Sequence, residues 1–290
     1  MTYLLLSVLS SVVIFVVFKL FDRFKINILN AIVVNYIVAC ICGVIAYDSP
    51  ISASEIISHD WFYYTIALGA LFIVVFNLMA ITTQRSGLSV VSVATKMSVV
   101  IPILFGLFYY KESFGYLKII GVLLALIAVY LTAIKSKEGI KIDRNTLIFP
   151  LLVFIGSGII DTSIKYLENS FVAENDVPIF SATIFGAAAT IGILILGYLM
   201  IQGKFKFELK NLIGGIALGI PNYFSIYFLV NALRSDIMDS SGIFTINNVA
   251  VVMMSTIIGI MLFKEKLSTK NWGGIILAVV SIFLVAFSTK

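Results

Sequence analysis

Residues 89–135 read SVVSVATKMSVVIPILFGLFYYKESFGYLKIIGVLLALIAVYLTAIK. An apolar run interrupted by Pro102 ends at the charged pair Lys111-Glu112, and a second apolar run follows at once. Each run is long enough to cross a lipid bilayer, which takes about 20 predominantly apolar residues. The stretch therefore predicts a hairpin of two membrane-spanning helices joined by a charged turn.

The same pattern returns 153 residues later. Its clearest equivalences are Gly106 with Gly259, Lys111-Glu112 with Lys264-Glu265, and Gly121 with Gly274. Weaker equivalences relate Ser11–Lys19 to Ser157–Lys165 and Arg85-Ser86 to Arg234-Ser235. Self-similarity at this distance predicts a duplicated chain. We place the two repeats at residues 1–137 and 145–290.

The composition predicts an integral membrane protein. Of 290 residues, 60% are hydrophobic and 12% are charged, whereas soluble domains carry about 25% charge. The net charge of +5 comes from bases scattered over short loops, which favours anchoring of helix ends over nucleic-acid binding. Cys40 and Cys42 are two positions apart on one predicted helix, so they do not face each other.

Ten apolar spans of membrane length fill almost the whole chain. They cover residues 3–20, 28–47, 62–83, 88–110, 115–134, 147–167, 179–201, 211–233, 240–262 and 271–288. Five spans per repeat is an odd number, so the second repeat enters the membrane upside down relative to the first. The predicted fold is all-α, with ten transmembrane helices in two inverted five-helix repeats.

Two prolines fall inside spans. Pro102 lies in the fourth span and Pro221 in the eighth, next to Gly219. Proline frees a backbone carbonyl and kinks a helix, and such breaks are tolerated where they line a cavity or pack on a neighbour. Both interpretations stay open: a hinge or binding wall, and close helix packing.

Two ionised side chains lie at membrane depth. Lys96 is about 12 Å into the fourth span at 1.5 Å per residue, and Asp161 lies in the interior of the sixth. A charge at the bilayer centre costs about 2.5–3.5 kcal/mol on insertion scales. These residues are candidates to contact a solute or a coupled proton, and the alternative is a structural ion pair.

Uncharged polar groups in the spans are further candidates. Asn77, Asn222 and Asn247 lie nearest mid-span, and Tyr223 belongs to an aromatic stretch beside Asn222. Each could bind a solute or hydrogen-bond a neighbouring helix.

The charged turns also have two interpretations. Lys111-Glu112 and Lys264-Glu265 can cap helix ends at the membrane surface, or they can gate a path.

The spans lack the residues that catalysis, metal binding and nucleotide binding require. The only histidine, His59, is in a loop, and the spans contain neither a metal-binding cluster nor a nucleotide-binding glycine-lysine motif. Intramembrane serine proteolysis needs a serine and a histidine at depth. The sequence therefore predicts no enzyme activity, no cofactor and no metal.

The whole pattern resembles the drug/metabolite transporter superfamily, in particular its EamA-type members. The resemblance rests on Gly106 with Lys111-Glu112, on Gly259 with Lys264-Glu265, and on the ten spans; Pro102 resembles the family's proline in the fourth helix. Ser255 stands at the equivalent position of the second repeat, so that half departs from the pattern. The resemblance implies a central cavity lined by spans one to four and six to nine, with spans five and ten peripheral.

Orientation is left open between two arguments. The odd-numbered connections carry most of the lysines and arginines, which places them in the cytoplasm and both termini outside. The family resemblance implies cytoplasmic termini.

These observations predict a secondary transporter in the cell (inner) membrane. It would export a small metabolite, such as an amino acid or a similar polar or amphipathic solute, by alternating access, with proton coupling through Asp161 as one hypothesis. The alternative is a membrane scaffold or assembly protein that transports nothing. The sequence does not indicate an oligomeric state.

Overall fold

The computed structural model of the protein describes residues 1–47, 52–109, 116–133, 144–173, 176–233 and 240–288. Within these ranges the chain is all helical, with twelve α-helices and no β-strand. In chain order they are α1 (Thr2–Arg23), α2 (Ile28–Ile45), α3 (Ala53–Ser58), α4 (Phe62–Ser86), α5 (Leu88–Met97), α6 (Val100–Tyr109), α7 (Tyr116–Ala133), α8 (Arg144–Phe171), α9 (Val177–Ile201), α10 (Leu209–Leu233), α11 (Ser240–Phe263) and α12 (Thr269–Ser288).

The helices follow the spans predicted from the sequence. Among the described residues, eight stretches of at least 18 residues are apolar enough to cross a membrane, and they lie in α1, α2, α4, α5 with α6, α8, α9, α10 and α11. The apolar parts of α7 and α12 are shorter, covering Ile119–Thr132 and Thr269–Val285. An all-helical membrane fold is confirmed, and the count of ten spans remains a prediction.

The fourth predicted span is interrupted just before Pro102. Ser98 and Val99 separate α5 from α6. Proline has no N–H, so Pro102 cannot bond the carbonyl of Ser98 four residues earlier. That carbonyl instead accepts from the N–H of Ile101 at 2.9 Å, which forms a tight turn. By contrast, α10 continues without interruption through Pro221. A hinge role for either proline remains a prediction.

The chain divides into two compact units. The first unit contains Met1–Lys19, Leu78–Ile159 and Phe224–Lys290, and the second contains Leu20–Asn77 and Ile160–Tyr223. Each unit therefore combines segments from both halves of the sequence. The two sequence repeats are a different division of the chain, and they remain a prediction.

In the first unit, α7 packs against α12 through two glycines. A Cβ added at Gly121 would lie 3.2 Å from the carbonyl oxygen of Ser281. A Cβ added at Gly274 would lie 3.0 Å from the carbonyl oxygen of Ala128. The Ser281 hydroxyl also donates to the carbonyl of Gly121 at 2.6 Å. Gly121 and Gly274 are 153 residues apart, and so are Ala128 and Ser281. The contact is therefore reciprocal, as a twofold axis requires, and the two helices are antiparallel.

A second reciprocal contact lies in the second unit, where α2 packs against α9. A Cβ added at Gly43 would lie 2.9 Å from the Cβ of Ala182. A Cβ added at Gly192 would lie 2.5 Å from a methyl group of Val33. Val33 and Ala182 are 149 residues apart, and so are Gly43 and Gly192. This helix pair is also antiparallel, and its contacts are reciprocal like those of α7 and α12.

We expect Gly274→Ala to destabilise the protein, with Gly273→Ala as its matched control. The new methyl group at 274 would lie 2.8 Å from the backbone nitrogen of Thr132, and overpacking of this kind costs about 1–3 kcal/mol. No atom of the described residues lies within 4 Å of an added Cβ at Gly273, and alanine in a helix is favoured over glycine by about 0.5–1 kcal/mol. Thermal melts in detergent should separate the two variants, and equal melting temperatures would contradict the packing.

Candidate functional site

A cluster of polar groups in the first unit surrounds Glu265, at the turn between α11 and α12. Its carboxylate accepts from the backbone N–H of Leu88 at 2.8 Å and from the hydroxyl of Ser89 at 3.4 Å. Lys19 Nζ lies 3.8 Å from the same carboxylate and donates to the carbonyl oxygen of Thr83 at 3.3 Å. Leu88 is the first residue of α5, so the carboxylate sits at a helix N-terminus, where negative charge is stabilised.

Two glycines make room for this carboxylate. A Cβ added at Gly87 would lie 2.7 Å from Oε1 of Glu265, and a Cβ added at Gly259 would lie 2.6 Å from Oε2. The side chains of Glu265 and Lys19 are 10% and 23% exposed, so solvent screens their attraction less than that of a surface pair. The cluster thus connects the end of α1, the α4–α5 junction and the α11–α12 turn. We call Lys19, Thr83, Leu88, Ser89 and Glu265 the Glu265 cluster.

The Glu265 cluster bears on the charged turns singled out in the sequence. Glu265 caps a helix end, but the helix is α5 and not a member of its own hairpin. Lys264 is exposed and has φ 52, a left-handed conformation that ends α11. Lys111 and Glu112 lie outside the described residues. A gating role for these turns remains a prediction.

Lys96 lies in the last turn of α5, two residues before the break at Ser98, and is half-buried. A cation is stabilised at a helix C-terminus, because the unpaired carbonyl groups there carry partial negative charge. The structure therefore places the predicted intramembrane lysine beside the point where the fourth span is divided. Pro102, one turn further along the chain, is buried.

Asn247 is 1% exposed on α11, which packs against α5 in the first unit. The Ser7 hydroxyl lies 3.2 Å from Asn247 Oδ1 and 2.9 Å from the carbonyl oxygen of Ser225. These hydrogen bonds join α1, α10 and α11. Of the two interpretations of Asn247, they match the one in which it bonds a neighbouring helix.

Asp161 and Asn77 both belong to the second unit and lie on α8 and α4. Asp161 is exposed. The Asn77 amide donates to the carbonyl of Ile73 in its own helix at 2.8 Å. Lys96 and Asp161 therefore lie in different units of the structure.

Asn222 and Tyr223 lie in α10 within the second unit and are 4% and 8% exposed. The amide of Asn222 donates to Asn35 Oδ1 at 3.2 Å. The ring of Tyr223 lies 3.5 Å from the position of an added Cβ at Gly43. Two of the predicted solute contacts, Asn222 and Tyr223, therefore lie side by side on α10 and both contact α2. Pro221 precedes them in the same helix.

Sequence reasoning did not identify three contacts that the structure reveals, namely those of Asn35 with Asn222, of Ser7 with Asn247 and of Lys19 with Glu265. Asn35, Ser7 and the Lys19–Glu265 pair depend on which helices are neighbours. The only signal for Asn35 in the sequence is that it is a polar residue within an apolar span. Among the described residues, no group of three or more His, Cys, Asp or Glu side chains could hold a metal ion.

Comparison with known proteins identifies the family. Residues 1–134 match the EamA-like transporter family. A protein of Haemophilus influenzae, described as uncharacterized, is 30% identical over 292 residues, covering 99% of this chain and 98% of that protein. A solved crystal structure with 14% sequence identity has a TM-score of 0.58 and covers 96% of this chain and 95% of that chain, which shows a shared fold. Together with the spans, these matches indicate a multi-pass membrane transporter: the chain belongs to the EamA-like transporter family.

Proposed function

We propose that this protein is a secondary transporter that exports a small polar or amphipathic metabolite, such as an amino acid, across the cell (inner) membrane. It works by alternating access through a central cavity formed by two inverted five-helix repeats. Its candidate solute contacts are Lys96, Asp161, Asn77, Asn222, Asn247 and Tyr223.

The reciprocal glycine contacts carry this proposal. The contacts at Gly121 and Gly274, and those at Gly43 and Gly192, are reciprocal between antiparallel helices, which supports two inverted repeats. Transporters use inverted repeats to build two gates around one site, since each repeat can adopt the conformation of the other. Membership of a transporter family supports the same function.

The broken fourth span supports a solute contact in the first unit. Interrupted helices are found in transporters where backbone groups and helix ends coordinate a substrate. Lys96 lies in the last turn of α5, and the turn at Ser98 and Val99 follows that helix. A lysine at this place would attract a carboxylate or another anionic group of the solute.

The test is flux through purified protein in liposomes. Amino acids, nucleosides, sugars and amines are supplied as a panel, and uptake is compared with that of empty vesicles. We expect one class of solute to move. A panel in which no solute moves would contradict the proposal and favour a scaffold protein.

Lys96→Met should slow transport at least about tenfold, because removing a hydrogen bond to a charged group costs about 1.5 kcal/mol or more. Lys210→Met is the matched control. Lys210 pairs with Glu208 at 3.1 Å on an exposed surface, and such pairs contribute about 0–1 kcal/mol. Initial rates in liposomes measure both variants. Equal rates for Lys96→Met and the wild type would remove Lys96 from the site.

A further inference from the structure

An unused hydrogen-bond donor is buried in the second unit. Asn35 on α2 is fully buried, and its Nδ2 has no hydrogen-bond partner in the part of the chain that the structure describes. Its Oδ1 accepts from Nδ2 of Asn222 on α10 at 3.2 Å. A primary amide carries two N–H donors, so both donors of Asn35 are left without an acceptor. Buried polar groups are satisfied in the great majority of cases, and each exception requires an explanation.

The neighbourhood of Asn35 does not supply the missing acceptor. The Tyr36 hydroxyl, on the next residue of α2, donates to the carbonyl of Phe72 at 2.7 Å, and among the described residues it accepts no hydrogen bond from Asn35. An added Cβ at Gly219 would lie 2.8 Å from the carbonyl oxygen of Asn35, so the backbones of α2 and α10 are in close contact at this level. Hydrocarbon offers no water to compensate an unsatisfied group within a membrane. The acceptor is therefore expected to come from outside the chain.

The contacts of Asn35 also indicate the charge of that acceptor. In the described part of the chain, Asn35 hydrogen-bonds a neutral amide and no ionised side chain. A neutral amide does not compensate the desolvation of an ion. We propose that Asn35 and Asn222 form a solute-binding element for an uncharged oxygen acceptor, such as a carboxamide carbonyl or a hydroxyl oxygen.

This inference rests on the proposed transport function and adds the group that the solute must present. When a solute enters, its oxygen takes the unused donor of Asn35, and the amide of Asn222 orients that donor by holding Oδ1. A solute with a methyl group in place of the oxygen leaves the donor unsatisfied, so the site discriminates against it.

The experiment compares near-isosteric amino acids on the full-length protein. Threonine with valine, and asparagine with leucine, are tested by thermal shift, because a ligand that binds the folded state raises its melting temperature. We expect at least one oxygen-bearing member to bind about fivefold more tightly than its apolar partner. In Asn35→Leu/Asn222→Leu this ratio should fall to about one, since no donor then awaits an acceptor. Asn35→Ala gives the same comparison if the double variant does not fold.

Asn231→Leu is the control, because that amide lies on α10 and is already used on the carbonyl of Tyr227 at 2.8 Å. Its ratio should equal that of the wild type. The inference is overturned if the wild type does not prefer either oxygen-bearing member, or if the Asn35 variants keep the preference. Transport of other solutes in liposomes would leave the proposed function standing in both cases.

Discussion

Asp161→Asn is expected to reduce transport by about 10–100-fold and to leave the protein folded. The substitution removes a charge-assisted hydrogen bond to the solute, which is worth about 1.5–3 kcal/mol, and it also removes the carboxylate that would take up a coupled proton. Asp161 is exposed on α8, so the neutral amide requires no repacking. Initial rates in liposomes, measured with and without a pH gradient, provide the test. The rate of the wild type should respond to the gradient, and that of the variant should not.

Asp176→Asn is the control for this experiment. Asp176 precedes α9, and its side chain makes no capping hydrogen bond. The same loss of charge outside a span should leave both the rate and the response to the gradient unchanged. If Asp161→Asn transports like the wild type under both conditions, the residue takes no part in coupling.

Gly87→Ala is expected to destabilise the protein by about 2–4 kcal/mol. Gly87 has φ 107 and ψ 168, a region that is essentially limited to glycine and costs other residues about 1–3 kcal/mol. The new methyl group would also lie 2.7 Å from the carboxylate of Glu265. Displacing that carboxylate removes the cap of α5, which is worth about 1 kcal/mol. Reversible unfolding in mixed detergent measures the loss.

Two other glycines separate the causes of this effect. Gly203 has φ 68, whereas Gly197 is helical, and at neither position would an added Cβ lie within 4 Å of an atom in the described ranges of the chain. Gly203→Ala should therefore show backbone strain alone, and Gly197→Ala should stabilise the protein slightly. A loss at Gly87 no larger than that at Gly203 would mean that the carboxylate is not held as described.

The class of fold could be predicted from the sequence because it depends on length and apolarity. Long apolar runs must become helices in lipid, since every backbone group needs an internal partner. The break before Pro102 was predictable for a similar reason, because it follows from one missing N–H. The family was predictable from the charged turns. The match of residues 1–134 to the EamA-like transporter family confirms that prediction for the first half of the chain.

The partners in the candidate site could not be predicted. The helix α2 has apolar side chains on nearly all of its faces, so its sequence does not reveal which face packs against α10. Asn77 was weighted above Asn35, yet Asn77 bonds its own helix, whereas Asn35 meets Asn222 across two helices. The sequence predicts that Glu265 can cap a helix end, but it does not indicate which helix, because local sequence shows only local partners. Its contact with Leu88 joins residues 177 positions apart.

Inverted repeats are the central claim, and labelling of the two charged turns from each side of the membrane tests it most directly. In a background with Cys40 and Cys42 replaced by alanine, single cysteines are introduced by Ser113→Cys and Lys266→Cys, positions 153 residues apart. An impermeant maleimide is then applied to intact cells and to inverted vesicles. The account predicts that the two cysteines react from opposite sides, and reaction of both from the same side would contradict it.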